Sequence, residues 1–246
     1  MSATTDTASR EALSTRYDEI WADAAPVVRS GRAALDPWLG WKHADGRRGL
    51  TLLMRPGVEL ARRLEAFLAP LRAEEPGLYF QPAADMHLTV LSLFTATVDH
   101  ETHLAHLDAY QAAVSEALAG VPPVTVDVEG LTLARDAVLA QGFPRGDTLA
   151  RVRERLRAAL AARGLGAGLD QRYRLETAHL TLARFAGPLR RPEPFVRALE
   201  GARRHAFGVI EGREMELVVS DWYQSADQTR RVRTYPLAAT PVTRSD

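Results

Sequence analysis

An apolar-His-Leu-Thr-apolar pattern is written twice in this chain, in MHLTVLSLF at residues 86–94 and in AHLTLARF at residues 178–185, with the two histidines 92 residues apart. Both stretches are short, apolar and β-branched, which predicts buried strands. Side chains alternate along a strand, so His87 and Thr89 share one face while Met86, Leu88 and Val90 take the other, and His179 and Thr181 repeat the arrangement. Each stretch therefore offers an imidazole and a hydroxyl about 7 Å apart, two residues of strand rise, with apolar anchors behind them. A fold that holds both must bury two similar strands and leave one face of each open. With apolar residues near half of the chain, such a match arises at a given histidine with a probability of about 0.01, so two among the seven histidines are not expected by chance.

The rest of the chain supplies what those strands need. Residues 1–10 are small and polar and are expected to be a disordered tail. Over residues 11–34, Leu13, Tyr17, Ile20, Trp21, Ala24 and Val28 recur at helical spacing, with an interruption expected at Pro26. A loop rich in Pro, Gly and Asp follows at 36–49. Residues 50–56 read as a strand, the next stretch as a helix up to Pro70, and GLYFQP as a short strand. A helix is expected at 103–119, a hairpin from VTVDVEGLTLA and AVLAQGF, a helix from an Asp147 cap to Arg163, a helix near 192–204 and two closing strands, REMELVVSDWYQ and RRVRTYPLA. Strands and helices alternate without the regular beat of parallel units, which favours an α+β fold with largely antiparallel sheets. The order strand, helix, His-strand and then hairpin, helix, His-strand suggests two similar lobes. The expected organisation is a tail and helical extension over 1–45 and a two-lobed domain over 46–240, with lobes at 46–120 and 121–240.

The 246 residues carry 31 basic and 31 acidic side chains, so no broad electrostatic grip on a nucleic-acid backbone or an anionic membrane is indicated. There is no cysteine, which removes disulfides, thiolate metal sites and a cysteine nucleophile. The beginning of the chain has no signal-like apolar run, and about eighteen consecutive apolar residues occur nowhere, so the expectation is a soluble cytoplasmic protein. Lys42 is the single lysine, and KHADG around it has one residue too many for a nucleotidyl-transfer motif.

If the two strands lie side by side, two imidazoles and two hydroxyls face one cleft. Two histidines form a competent acid-base pair near neutrality, because an ordinary imidazole titrates near 6.5 and one can be neutral while the other is protonated. No metal is required. The hydroxyls are donors, and the group that most needs donors beside an acid and a base is an oxyanion such as a phosphoryl oxygen. Phosphodiester chemistry fits this set best.

With these residues the chain resembles the 2H phosphoesterases, named for two H-x-[S/T]-x motifs with apolar flanks. HLTV at 87–90 and HLTL at 179–182 match both motifs, and HLTLAR resembles the second motif of the bacterial RNA 2',3'-cyclic phosphodiesterase and 2'-5' RNA ligase members, with Arg184 at the position of an arginine. The resemblance spans about residues 48–238 and leaves the first 45 outside. It implies a bilobal α+β fold of two pseudo-symmetric, mainly antiparallel sheets with outer helices around a central cleft, a small nucleotide or oligonucleotide substrate, and cleavage of cyclic phosphates or 2'-5' linkages without metal or other cofactor. It further implies that one histidine activates water or a ribose hydroxyl, the other protonates the leaving oxygen, and Thr89 and Thr181 hold the non-bridging oxygens. Which histidine is the base stays open, as does oligomeric state. A binding module that captures a nucleotide without cleaving it, and an RNA 2'-5' ligase-like transferase, use the same groups.

Weaker candidates surround this set. Arg184 can fork onto a phosphate, but strict alternation from His179 puts it on the opposite face unless the strand ends or bulges. Tyr79, Phe80 and Phe143 can stack a base, and Arg230, Arg231 and Arg233 beside Tyr235 can line a cleft, although a structural role competes for each. His100, His103 and His106 have spacing that can bind metal, yet no further ligand accompanies them, so a solvated helix face is expected. GLGAGLD at 164–170 follows a helix and precedes a strand, the reverse of a dinucleotide-binding turn, and reads as a loop. Neither G-x-S-x-G nor a P-loop occurs.

Overall fold

Both histidine motifs open strands that meet at the centre of a single sheet. The computed structural model describes residues 2–169 and 175–238. In chain order it contains α1 (Ser2–Arg29), a 3-10 segment (Pro37–Ala44), β1 (Arg48–Met54), α2 (Val58–Glu74), β2 (Tyr79–Phe80), β3 (Leu88–Thr97), α3 (His100–Leu104), α4 (Leu107–Leu118), β4 (Val124–Leu133) and β5 (Ala137–Pro144). It continues with α5 (Thr148–Ala161), β6 (Leu180–Arg184), α6 (Pro192–Gly201), β7 (Ala206–Gly212), β8 (Glu214–Ser220) and β9 (Arg230–Pro236). The strands form one curled nine-stranded sheet in the order β7-β4-β5-β6-β3-β1-β8-β9, with β2 on β6, and its ladders are antiparallel. This is the α+β class that the alternating elements imply.

The two halves of the sheet, expected as separate sheets, are continuous through one residue pair, Leu88↔Leu180. They are also not successive in sequence. β4 to β7 build one half, whereas β8 and β9 return to pair with β1, so the closing hairpin completes the half begun by β1 and β3 instead of a lobe over 121–240. Helix faces follow their sequence period: α2 buries Leu60, Leu64, Leu68 and Leu71, and α5 buries Leu149, Val152, Leu156 and Leu160. α5 packs on β3, α2 on β7, and α1 and α6 on β4.

Several local expectations change. The stretch expected as a tail is helical from Ser2, and Arg10 is docked on the sheet, paired with Glu129 and stacked 4.3 Å over the Phe143 ring. Small residues next to a helix extend it once its far end has contacts to make. Pro26 and Pro70 lie inside α1 and α2 without ending them. The helix expected at 103–119 is split into α3 and α4. Asp147 stands at the cap of α5 but makes no capping hydrogen bond, and its carboxylate pairs with Arg151 at 3.3 Å. β7 has no counterpart among the expected elements; it is a short edge strand interrupted by Gly208, which breaks its apolar run. β8 stops at Ser220 because the Asp221 carboxylate accepts the backbone N–H groups of Tyr223 and Ser225 and the Ser225 hydroxyl, turning DWYQ out of the strand. Among the described residues no helix is long and apolar enough to cross a membrane.

Candidate active site

The single pair at the junction sets the site. Continuing the antiparallel register of Leu88↔Leu180 by one residue each way puts His87 opposite Thr181 and His179 opposite Thr89. Residues opposite one another stand about 4.5–5.5 Å apart and diagonal ones about 7–8 Å, so each imidazole faces the other motif's hydroxyl and the two imidazoles face each other across the diagonal. All four side chains line one cleft of about 170 Å³, with Thr51, Gln81, Ser92, Trp222 and Gln224 among its other walls. A centre suited to one tetrahedral anion results, with two rings and two hydroxyls around it.

One ladder pair is little to hold such geometry, and two buried side chains reinforce it. Arg153 of α5 is buried, and its guanidinium donates to the carbonyls of Val90 (2.9 Å) and Thr89 (3.1 Å) on β3 and of Glu176 (3.0 Å) and Thr177 (2.8 Å) ahead of β6. It ties the two motifs together and, among the described residues, pairs with no carboxylate, which leaves a positive charge behind the cleft. Tyr17 of α1 is fully buried; its hydroxyl donates to the Gly142 carbonyl (3.1 Å) and accepts the N–H groups of Gly142 (3.2 Å) and Ala178 (3.1 Å). It thereby fills the gap beyond Ala140↔Leu180, where the β5–β6 ladder stops, and anchors the residue before His179. Burial pushes this phenol up to about 12. Gly142 is required there, because a Cβ would lie 1.8 Å from the Ala178 carbonyl oxygen.

Both imidazoles are half-buried. His87 Nδ1 lies 2.7 Å from the Asp85 carbonyl, which can only accept, so Nδ1 carries the proton and Nε2 is the nitrogen with a free lone pair in the neutral ring. His179 Nδ1 lies 2.9 Å from the Thr177 hydroxyl, a partner able to donate or accept. Burial lowers the pKa of each to about 4; the carbonyl of Asp85 works against this at His87, and the charge of Arg153 adds to it at His179. Arg184 lowers both. These surroundings favour two neutral rings, and an anion between them would favour protonation.

Arg184 does reach the cleft. Thr181 pairs with Leu139 and Ala183 with the adjacent Val138, so β6 carries one extra residue at Leu182, and this bulge returns Arg184 to the face of His179 and Thr181. Its guanidinium lies 3.4 Å from Asp136. Tyr79 and Phe143 do not line the cleft. Tyr79 sits on β2 with its hydroxyl accepting from Lys42 Nζ at 3.0 Å. Phe143 is buried beneath α1, edge-on to Tyr17 at 5.5 Å, which removes it from any base. Phe80 is core, Arg231 pairs with Glu216 and Arg233 stacks on Tyr235. His103 stacks on Phe94 at 4.6 Å, and among the described residues no three His, Asp or Glu side chains are grouped to hold a metal. Gly166–Gly168 is a 3-10 turn, and Asp170 lies outside the described residues.

Sequence patterning does not reveal Gln224 or Trp222 as walls. Gln224 has φ 58°, alone among the described non-glycine residues in that region, and its buried amide oxygen has no partner there. A strained polar residue on a cleft wall often marks function. Its only sequence signal is the Asp221 turn that precedes it.

No family model and no curated protein matches the sequence. Solved structures do. The chain is similar to a phosphoesterase (16% identity, TM-score 0.52, 78% of this chain and 99% of that one) and to TT0787 of Thermus thermophilus (20%, 0.54, 78% and 97%). It is also similar to E. coli LigT solved with 3'-AMP (16%, 0.51, 78% and 99%). The fold implied by the paired motifs is therefore the fold these proteins share, and more than a fifth of this chain lies beyond it.

Proposed function

We propose that a chain with the fold of the phosphoesterase and LigT structures is itself a phosphodiesterase, acting on a 2',3'-cyclic phosphate or a 2'-5' linked nucleotide with His87 and His179 as paired base and acid. The observation that carries this reading is the convergence of both imidazoles and both threonine hydroxyls on one cleft across the single β3–β6 pair. Threonine hydroxyls and Arg184 donate to the non-bridging oxygens, where charge builds as a fifth oxygen approaches phosphorus.

We assign the base to His87. Its Nδ1–H is engaged by a carbonyl, so the neutral ring offers Nε2 to water. The base takes the water proton as the water oxygen bonds to phosphorus. The bond from phosphorus to the ribose oxygen breaks, and His179 gives that oxygen its proton, leaving a phosphomonoester and a free hydroxyl. The hydroxyl of Thr177 suits a ring that alternates between states, since it can accept from the imidazolium. Every step uses side chains of the cleft and none calls on a metal.

The test is incubation with 2',3'-cyclic nucleotides, 2'-5' dinucleotides and 3'-5' controls, with products identified by phosphorus NMR. His87→Ala and His179→Ala are each expected to lower turnover by more than about 10²-fold, and Thr89→Val and Thr181→Val by about 10²- to 10³-fold. Ligand that binds the wild-type protein and is recovered intact would make this a binding module, and ligation without hydrolysis would make it a transferase. Turnover that survives both histidine substitutions would sink the mechanism.

A further inference from the structure

The cleft at the β3–β6 junction holds about 170 Å³, below the roughly 300–1,000 Å³ of small-molecule sites. A second cavity of about 380 Å³ adjoins it, sharing His179, Thr181, Arg184 and Trp222 as a common wall. Its far side is built by α1, the helix outside the region of resemblance. Arg16 and Ile20, four residues apart and therefore on one helix face, line it. α1 cannot drift away from this position, because Tyr17 between them is locked to Gly142 and Ala178.

The lining specifies the occupant. The Trp222 indole, with the Arg47 guanidinium 5.7 Å from its ring, forms one aromatic wall, and Ile20, Ala137 and Leu139 supply apolar ones. Two carboxylates, Asp136 and Glu176, also face it. Asp136 is engaged by Arg184, while Glu176 is exposed and its carboxylate has no ion pair among the described residues. Arg184 is paired with Asp136 and Arg16 with Glu19 at 2.9 Å, so Glu176 is the charged group left over, and as an acceptor it favours a ligand that donates N–H groups. Resting on the phosphodiesterase reading of the neighbouring cleft, we propose that this α1-walled cavity is a specificity subsite for a nucleobase carrying an exocyclic amino group, attached through its ribose to the phosphate held between the histidines. Adenine, cytosine and guanine satisfy Glu176 through that amino group, whereas uracil offers only a ring N3–H flanked by two carbonyl oxygens, which the carboxylate repels. α1 thus closes the cavity on one side, while Glu176 and Trp222 of the two-lobed domain would do the selecting.

Calorimetric titration of the full chain with inorganic phosphate and with the 3'-monophosphates of adenosine, cytidine, guanosine and uridine tests this. The amino-bearing nucleotides are expected to bind at least tenfold more tightly than uridine 3'-monophosphate or phosphate. Ile20→Trp, which fills the cavity from its half-exposed rim, should reduce every nucleotide to the level of phosphate and leave phosphate itself within twofold. Glu176→Gln should narrow the gap between adenosine and uridine to less than threefold, since an amide can donate as well as accept. Equal affinity for the four nucleotides, or nucleotide affinity unchanged in Ile20→Trp with circular dichroism confirming its fold, overturns the subsite alone. Wild-type protein that binds no phosphate, or binds it equally well as His179→Ala, overturns the reading of the catalytic cleft and the subsite with it.

Discussion

Replacing Arg153 with methionine removes a buried side chain that spans both histidine motifs. Its guanidinium makes four hydrogen bonds to backbone carbonyls and has no acidic partner among the described residues, so the substitution orphans acceptors without stranding a charge. Glu176 is exposed and Thr177 half-buried, so water can replace the lost donors at those two carbonyls. The Val90 carbonyl is buried and stays dry, whereas that of Thr89 is half-buried like that of Thr177. One buried unsatisfied acceptor gives an expected loss of about 1–3 kcal/mol, reduced somewhat because the methionine need not bury a charge. Urea unfolding should show this as a lower midpoint at an unchanged slope. Activity should fall further than stability explains. The motifs share one ladder pair, and a displacement of about 1 Å between reacting groups can cost about 10²-fold. The pH profile separates positioning from mere folding: loss of the charge that disfavours protonated His179 should raise that imidazole's pKa, so the descending alkaline limb moves to higher pH. Arg153→Lys keeps the charge and should restore the limb while recovering only part of the stability. A methionine variant with a wild-type urea midpoint, and turnover within twofold at every pH, would refute the clamp.

Other expectations concern the same junction. Tyr17→Phe leaves two backbone N–H groups and a carbonyl without their hydroxyl partner and should cost about 2–4 kcal/mol, with hydrogen exchange at Ala178 rising ahead of the rest of β6. Gly142→Ala forces a Cβ onto the Ala178 carbonyl oxygen and should destabilise by at least about 2 kcal/mol, measured by the same unfolding curves; an unchanged midpoint would contradict the close approach. Both imidazoles titrate near 4 in the free protein, so above that pH the singly protonated form falls about tenfold per unit and kcat/KM should peak on the acid side of neutrality. The profile of kcat should peak at higher pH, because the bound phosphate anion favours the imidazolium. A folded-state pKa below the unfolded value of about 6.5 also means that the neutral rings stabilise the fold above that pH and cease to as pH falls towards 4; a His87→Gln, His179→Gln double variant should lose less stability between pH 7 and 4.5 than the wild type. Activity should persist in EDTA, and its loss on chelation with recovery on added metal would replace the proposed mechanism.

What the sequence determined by itself is everything that depends on local period. Alternation in MHLTVLSLF and AHLTLARF put each imidazole and its threonine on one face with Leu88 and Leu180 behind them, and the helical spacing of Tyr17, Ala24 and Val28 marked the buried side of α1. Those patterns arise from backbone geometry over a few residues, and no distant partner can change them without burying polar groups or exposing apolar ones. Tertiary structure alone decided the rest. A bulge one residue long turned Arg184 into the cleft, and a helix arriving from more than a hundred residues away buried Phe143 and pinned Ala178. The return of β8 and β9 to β1 divided the sheet differently from the chain. Each of these is a pairing between segments far apart in sequence, chosen by which surfaces fit once the chain has collapsed, and no period in either segment records the choice.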